Sequence, residues 1–148
     1  MPNAPVVRPA LLTDRDQVVR MRTALWPDST AAEVDVLLAD FAGVLLVSED
    51  EDGELIGYAE VGVRPFADGC LTAPVAYLEG VWVGDDERRS GIGAALVAFA
   101  EVWAREQGLT EMASDCAIDN TASHAFHTAL GFEEAGRMIA FRRSIEPR

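Results

Sequence analysis

Cysteine is scarce in this sequence, and the two that occur form no recognisable site. Cys70 and Cys116 lie far apart and no C-x-x-C pair is present, so neither a zinc site nor a disulfide framework is indicated, and both thiols are expected to be reduced. Long apolar runs are missing too, because no stretch reaches the roughly 18 residues that a membrane helix requires. The first ten residues, MPNAPVVRPA, lack a charged-then-apolar secretory pattern. These absences predict a cytoplasmic protein without a membrane partner.

Positively charged residues are also few in this sequence. The chain has 12 lysine and arginine residues against 25 aspartate and glutamate residues, a formal net charge of −13 at pH 7. Nucleic-acid binding depends on clustered basic side chains that neutralise phosphates, so this balance argues against a nucleic-acid partner. An acidic surface attracts small cations, although many proteins are acidic merely for solubility. The acidic segment Glu49–Glu54 lacks the spacing of a calcium loop and predicts a solvated turn without metal.

No repeat, low-complexity segment or linker divides the 148 residues, and 49% of them are hydrophobic, which predicts one domain over residues 1–148. Apolar periodicity, caps and turns predict the order β-α-α-β-β-β-α-β-α-β(β), an α+β fold with a mixed sheet and helices on both faces. The predicted elements used below are a hairpin over 44–63, a strand over 76–83, a helix over 91–107, a strand over 110–116, a helix over 120–130 and a final strand region over 132–144.

A glycine-containing basic loop precedes the long predicted helix. Its sequence is Arg88-Arg89-Ser90-Gly91-Ile92-Gly93. Backbone amides in the first turn of a helix have no intrahelical acceptor, and glycines let an anion approach them closely, so the loop indicates a phosphate site. A tight strand-to-helix turn with solvated arginines is the structural alternative. Neither G-x-x-x-x-G-K-[ST] nor G-x-G-x-x-G is present, which argues against the common nucleotide-binding loops.

Two carboxylates stand out near the ends of predicted strands. Glu79 interrupts an otherwise apolar strand, and Asp115 lies near the end of the next one. A carboxylate in such a strand is costly unless it is paired or lines a cavity. Strict alternation puts Tyr77, Glu79, Val81 and Val83 on one face and Leu78, Gly80 and Trp82 on the other, although Gly80 permits a bulge. Either acid alone also suits a salt bridge or a solvated strand end; together they favour a cation site.

Two motifs resemble those of the GCN5-related N-acetyltransferase (GNAT) superfamily. Arg88-x-x-Gly91-x-Gly93 is similar to its coenzyme A pyrophosphate loop, and Asn120-x-x-Ser123-x-x-x-His127-x-x-x-Gly131-Phe132 is similar to its later helix. The resemblance implies the GNAT fold, a mostly antiparallel sheet whose two central parallel strands splay apart at the cofactor site, with acetyl-CoA as acyl donor. The cofactor contacts that it implies are Val81, Trp82, Val83, Arg88, Arg89, Ser90, Gly91, Ile92, Gly93, Ala94 and Asn120.

A narrower resemblance, to the aminoglycoside 6′-N-acetyltransferases, extends from residue 25 to residue 134. It is carried by Leu25-Trp26-Pro27, Pro74 followed by Leu78-Glu79-Gly80, Ala113-Ser114-Asp115, Asp119-Asn120 and Leu130-Gly131-Phe132-Glu133-Glu134. It implies a cationic aminoglycoside as substrate, in contact with Trp26, Phe66, Glu79 and Asp115. The chain departs from the pattern in having Phe66 and Phe141 where tyrosine is usual and Gly136 where glutamate is usual.

The implied reaction is direct attack of the substrate amine on the thioester in a ternary complex. Glu79 or Asp115 would accept the ammonium proton, through water, while a backbone N–H near Val81 polarises the carbonyl. His127 stands where many members have tyrosine and could protonate the leaving thiolate. The alternative is that it is a helix side chain without a role in the reaction. His124 and His127 lack a third metal ligand, so no metal is expected. Cys116 is expected to be a buried small side chain rather than an acyl carrier.

Three functions follow in order of preference. The first is acetyl transfer to the 6′-amine of aminoglycosides, an antibiotic-resistance activity. The second keeps the enzyme class but changes the acceptor to a polyamine, a peptide N-terminus or another amine. It is favoured by Phe66 and Gly136, which depart from the pattern of the aminoglycoside enzymes. The third is a non-catalytic coenzyme A-binding module, which would bind the cofactor without turnover. Trp26 and Phe66 could instead be ordinary core aromatics. By analogy with the superfamily, a homodimer is expected.

Overall fold

The chain folds into four helices and five strands among the residues that this computed structural model describes, 4–87 and 90–148. The bounds are β1 Val6–Pro9, α1 Arg15–Leu25, α2 Ala31–Ala39, β2 Val44–Glu49, β3 Leu55–Arg64, β4 Val75–Val83, α3 Ile92–Glu106, β5 Met112–Ser114 and α4 Thr121–Ala129. Short 3-10 turns precede α1 at Leu12–Asp14 and α3 at Asp85–Glu87. No helix in this part of the chain is long and apolar enough to cross a bilayer.

The strands form one mixed sheet in the order β1-β2-β3-β4-β5. Every neighbouring pair is antiparallel except β4 and β5, which are parallel. The predicted hairpin is confirmed: the Asp50 carboxylate accepts hydrogen bonds from the backbone N–H groups of Asp52 and Glu54, both at 2.9 Å, and so forms the turn between β2 and β3.

Helices cover both faces of the sheet, as the sequence predicts. On one face, α1 and α2 bury Val18, Met21 and Val34 against a core that includes Tyr58 of β3. On the other face lies α3. A Cβ on Gly57, the neighbour of Tyr58 in β3, would lie 2.7 Å from Ile92 Cγ2. Adjacent strand residues point to opposite faces, so these two contacts define the two layers.

A bulge in β4 breaks the strict alternation that the sequence predicts. Glu60 pairs with Gly80, but the next residue of β3, Val61, pairs with Leu78, which leaves Glu79 as the extra residue. Gly62 pairs with Tyr77, and Glu60 and Gly62 share a face of β3. Tyr77 and Gly80 therefore lie on the same face, so the prediction that they lie on opposite faces is wrong because the bulge shifts the register.

The chain divides into two compact units, residues 1–115 and residues 116–148. The first unit holds the whole sheet with α1, α2 and α3. The second holds α4 and the segment that follows it. The final strand expected over 132–144 is absent: neither strand nor helix forms over residues 132–148. A strand requires a partner for its backbone hydrogen bonds, and strand-like composition alone does not supply one.

Candidate active site

An open acidic cavity of about 450 Å³ lies in the first unit. Five carboxylates, one arginine, one serine and one tryptophan line it, and they come from α1, the α1–α2 connection, α2, β3, β4 and the residue after β5. The lining residues are Arg22, Trp26, Asp28, Ser29, Glu33, Glu60, Glu79 and Asp115. We refer to this feature as the acidic cavity. Its excess of carboxylates suits a ligand with several positive charges.

Trp26 forms one wall of the acidic cavity. It is the C-cap of α1, where the backbone turns extended, and its N–H donates to the carbonyl of Arg22 at 2.8 Å. The guanidinium carbon of Arg22 lies 5.0 Å from the centroid of the indole ring. Gly80 faces the ring from β4, and a Cβ there would lie 2.6 Å from Trp26 Cζ2. The bulged strand thus leaves room for the indole because residue 80 has no side chain.

Glu60 is the most buried carboxylate of the cavity, at 7% exposure. Its Oε1 accepts hydrogen bonds from Arg22 Nε and from the Tyr58 hydroxyl, both at 2.8 Å. Arg22 also donates through one terminal nitrogen to Ser29 and Glu33, both at 2.7 Å. Burial, followed by the neighbouring Glu60 charge, raises the pKa of Tyr58 far above its usual range. This network is satisfied from within the chain and forms the floor of the site.

Glu79 and Asp115 are connected through two intervening side chains. Arg64 donates to both oxygens of Glu79, Nε to Oε1 at 3.0 Å and a terminal nitrogen to Oε2 at 2.7 Å. The guanidinium carbon lies 3.4 Å from the centroid of the Tyr77 ring, and the Tyr77 hydroxyl donates to Asp115 Oδ2. The hydrogen bond to Glu79 raises the pKa of Arg64, and burial, then Asp115, raises the pKa of Tyr77 to about 12.

Beside the cavity, the two parallel strands stop pairing. Ala76, Tyr77 and Leu78 pair with Met112, Ala113 and Ser114, and the pairing ends there while β4 continues to Val83. Among the described residues, 79–83 have no strand partner on this side, so the edge that carries Val81, Trp82 and Val83 is open to an extended ligand. This is the splay that the resemblance implies.

The start of α3 fits an anionic group. Gly91 is left-handed at φ +87°, and a Cβ built there would meet nothing within 4 Å, so the backbone is open to a ligand. The amides of Ile92, Gly93 and Ala94 belong to the first turn of a 15-residue helix, where no intrahelical acceptor exists. The Ser90 hydroxyl donates to the Glu87 carbonyl and closes the turn. Arg88 and Arg89 lie outside the described residues.

Asn120 and His127 belong to the second unit. Asn120 is the N-cap of α4, and its Oδ1 accepts from the Ser123 N–H at 3.0 Å. His127 Nδ1 lies 2.7 Å from the Ser123 carbonyl oxygen, which identifies it as a donor. The imidazole ring also packs edge-on against Phe126 and Phe132. These contacts fix the orientation of the imidazole ring.

The structure therefore brings together three of the four predicted substrate contacts, Trp26, Glu79 and Asp115. Phe66 is 74% exposed in the loop after β3 and is not among the residues that line the cavity, so it is not a core aromatic. Cys116 is exposed as well, so the expectation that it is buried is wrong. No group of three His, Cys, Asp or Glu side chains within the described residues could hold a metal ion.

Sequence reasoning missed Arg22, Asp28, Ser29, Glu33, Arg64 and Glu60. Glu60 carries the same signal as Glu79, a lone carboxylate in an apolar strand, and could have been found by it. The others lie in polar surroundings where charged side chains are ordinary, so their sequence positions carry no comparable signal.

Comparison with known proteins agrees with this geometry. The family model described as Acetyltransferase (GNAT) family matches residues 14–132. A Klebsiella aerogenes protein named aminoglycoside N(6′)-acetyltransferase type 1 is 41% identical, with 98% of this chain and 100% of that protein covered. The crystal structure of AAC(6′)-Ih from Acinetobacter baumannii, an aminoglycoside antibiotic 6′-N-acetyltransferase, has 35% identity and a TM-score of 0.90, covering 97% and 100%.

A second similar structure was solved with a ligand bound. It is AAC(6′)-Iy in complex with the bisubstrate analog CoA-S-monomethyl-acetylneamine, at 30% identity and a TM-score of 0.90, with 97% of this chain and 100% of that chain covered. The family match spans most of the chain, and the similarity to these relatives extends over nearly its whole length. The chain belongs to the acetyltransferase (GNAT) family, within which its relatives group it with the aminoglycoside N(6′)-acetyltransferases.

Proposed function

We propose that this protein transfers the acetyl group of acetyl-CoA to the 6′-amine of aminoglycoside antibiotics, by direct attack in a ternary complex. The acidic cavity beside the open edge of β4 carries the proposal. Aminoglycosides are amino sugars with several ammonium groups and flat apolar ring faces. Five carboxylates and the Trp26 indole in one cavity match both features. The names of the relatives support the same substrate class.

Bound acetyl-CoA supplies the activated acyl group, and the chain supplies anchoring and polarisation. Residues 90–94 would bind the pyrophosphate through first-turn amides, assisted by Arg88 and Arg89. The pantetheine arm would follow Val81–Val83, and the backbone N–H near Val81 would donate to the thioester carbonyl, where charge develops. Asn120, which belongs to the second unit, is proposed as a further cofactor contact. The open β4 edge and the open space at Gly91 support these assignments.

Proton transfer in the proposed reaction is assigned to Asp115, Glu79 and His127. The substrate nitrogen must lose a proton before it attacks the carbonyl carbon, and Asp115 or Glu79 would accept that proton through water. As the carbon–sulfur bond breaks, the leaving thiolate would take a proton from the His127 side chain, the role that the family resemblance implies for this position. Of the two acids, Asp115 is the better candidate, since Arg64 occupies both oxygens of Glu79.

A turnover assay tests the substrate. Purified protein incubated with acetyl-CoA and kanamycin or tobramycin should release free thiol, and mass spectrometry should find one added acetyl group per product molecule. An aminoglycoside with a 6′-hydroxyl in place of the amine serves as the matched control and should give no 6′ product. Absence of turnover across a panel of 6′-amino aminoglycosides would contradict the proposal.

Substituting the two acids tests their roles. We expect Asp115→Ala and Glu79→Gln each to lower kcat/KM more than tenfold, a loss of over about 1.4 kcal/mol of transition-state stabilisation. The control is Asp68→Ala, which removes an exposed loop carboxylate outside the cavity and should leave kcat/KM within twofold. Wild-type kcat/KM in both acid variants would contradict the assignment.

Another polyamine is the second candidate acceptor. The lining of the cavity favours positive charge more than the shape of a sugar, because it contains five carboxylates and one aromatic side chain. Phe66, the second aromatic contact that the resemblance implies, is not among the lining residues. Spermidine turned over with a higher kcat/KM than every aminoglycoside would favour this candidate. Binding of acetyl-CoA without turnover of any amine would instead favour a non-catalytic module.

Three broader features complete the proposal. The family match over residues 14–132 spans both compact units, which supports a single acetyltransferase domain over residues 1–148. The cytoplasm is the proposed location, because a transferase that consumes acetyl-CoA must work where that cofactor is available. A homodimer is the proposed assembly, supported by exposed apolar side chains in the second unit.

A further inference from the structure

Arg64 occupies a carboxylate of the acidic cavity in a manner that resembles ligand binding. Its two nitrogens engage the two oxygens of Glu79, and its guanidinium carbon lies 3.4 Å from the Tyr77 ring centroid. A carboxylate together with an aromatic face is a combination that holds organic cations. We call this pair of groups the Glu79–Tyr77 subsite. It is a cation site whose occupant comes from the chain itself.

The contact between Arg64 and Glu79 is suited to exchange. The Arg64 side chain is 44% exposed and the Glu79 side chain 26% exposed. Ion pairs at this level of exposure are screened by water and contribute little net stability, so another cation can replace the guanidinium at small cost. Glu79 lines the acidic cavity, whereas Arg64 is not among its lining residues. An ammonium group that enters the cavity therefore reaches the Glu79 carboxylate and competes with Arg64 for its two oxygens, both of which accept hydrogen bonds from that guanidinium.

We propose that Arg64 is an internal competitor of the acceptor: it fills the Glu79–Tyr77 subsite in the acceptor-free protein, and an ammonium group of the acceptor displaces it. This inference rests on the proposed function for the chemical class of the acceptor, a polycationic amine. In the acceptor-free protein Arg64 offsets the repulsion among carboxylates that share one cavity. Its presence lowers affinity for the acceptor, because each binding event must break the Arg64–Glu79 pair.

Calorimetric titrations of the coenzyme A complex with tobramycin and with spermidine test the inference without requiring turnover. Removal of the competitor in Arg64→Gln should lower Kd for a cationic probe about threefold to fivefold, the range expected for an exposed ion pair. Arg64→Lys retains a cation and should keep Kd within twofold of wild type. Each variant is also followed by thermal unfolding, where Arg64→Gln should lower Tm by about 2 °C or less.

Arg15→Gln is the matched control. Arg15 makes an equivalent two-nitrogen contact with Asp35, at 2.6 and 3.1 Å, and its side chain is 42% exposed. It lies outside the cavity lining. Its substitution removes the same charge, so it should produce a similar small decrease in Tm and leave Kd for both probes within twofold.

The outcomes separate competition from a merely structural role. If Arg64 only held Glu79 in place, Arg64→Gln would bind both probes more weakly than wild type, and that result overturns the inference. Equal affinity in wild type and Arg64→Gln overturns it too, and so does a failure of Arg64→Gln to bind either probe. Failure of the wild type to acetylate tobramycin contradicts the proposed function, while the order of Kd values among the variants still decides the role of Arg64.

Discussion

The carboxylates of the acidic cavity differ in the groups that already contact them. This difference distinguishes carboxylates that stabilise the fold from those that are available to the reaction. Glu60 is 7% exposed and receives hydrogen bonds from Arg22 and Tyr58. Asp115 is exposed at the end of β5 and receives one from Tyr77. A carboxylate saturated inside the fold cannot bind a substrate ammonium without breaking its own network. Glu60 therefore supports the site, and Asp115 is available to act in it.

Replacing Glu60 should cost stability. In Glu60→Gln the partly buried Arg22, whose side chain is 13% exposed, loses its most enclosed charged partner, so we expect the free energy of unfolding to fall by about 2–3 kcal/mol. Glu33→Gln is the control, because Glu33 also pairs with Arg22 but its side chain is 52% exposed; it should cost less than about 0.5 kcal/mol. Urea denaturation measures both. Equal midpoints for the two variants would contradict this ranking.

Asp14 should make stability depend on pH. Hydrogen bonds from Arg8 at 2.7 and 3.1 Å, and one from the Leu11 N–H at 2.7 Å, lower the pKa of Asp14, with Arg8 as the largest cause. A pKa lowered by folding gives stability that is fully present above the unfolded value of about 4 and is lost as the pH falls through the folded value. Asp14→Asn should therefore be less stable than wild type at pH 7, by about 2 kcal/mol.

Denaturation at a series of pH values checks this prediction. The stability difference between wild type and Asp14→Asn should stay constant from pH 7 to about pH 5 and narrow below about pH 4. Asp16→Asn is the control, because the Asp16 side chain is 93% exposed and its loss should change little at either pH. A difference between wild type and Asp14→Asn that persists unchanged in acid would refute the linkage.

At the scale of elements, the β4 bulge positions the site because it puts Glu79 out of register and sets Gly80 against Trp26. A Cβ at residue 80 would lie 2.6 Å from both Leu25 Cδ2 and Trp26 Cζ2. Gly80→Ala should therefore push the indole out of place and raise KM for the acceptor at least about fivefold, with a smaller change in kcat. Steady-state kinetics at saturating acetyl-CoA measure this split.

Gly84→Ala is the control for Gly80→Ala. It adds the same methyl group just after the same strand, where a Cβ would have neighbours no closer than 3.6 Å. Its KM for the acceptor should stay within twofold of wild type. If Gly80→Ala behaves like Gly84→Ala, the close fit between β4 and Trp26 does not shape the acceptor site.

Elements with local signals were predictable from sequence, and elements that depend on distant partners were not. The turn after β2 and the helices predicted over 91–107 and 120–130 are each specified within a few neighbouring residues, and they form close to the predicted bounds. The bulge was permitted by Gly80, but its place at Glu79 depends on how β3 pairs with β4. The Arg64 contact depends on the same pairing, so sequence reasoning did not reach it.

At the scale of the whole molecule, charge and apolar surface are unevenly distributed. The chain carries a net charge of −13, yet four of its twelve cationic residues, all arginines, lie within residues 137–148, where Glu146 is the one acid. The same segment exposes large apolar side chains: Met138 at 76%, Ile139 at 78%, Phe141 at 91% and Ile145 at 92%. A basic, apolar segment complements the acidic surface of a second copy of this chain, which supports the proposed homodimer.

Disrupting that segment should dissociate the dimer. We expect light scattering to give the wild type twice the 16.0-kDa mass of one chain, and Phe141→Ser combined with Ile145→Ser to give the single mass, because the two substitutions remove the most exposed apolar side chains of the segment. Leu71→Ser is the control, since Leu71 is 95% exposed in the first unit and its loss should leave the mass doubled. A wild type that has the single mass at tens of micromolar refutes the homodimer. A double variant that keeps the doubled mass shows instead that these two side chains do not hold the copies together.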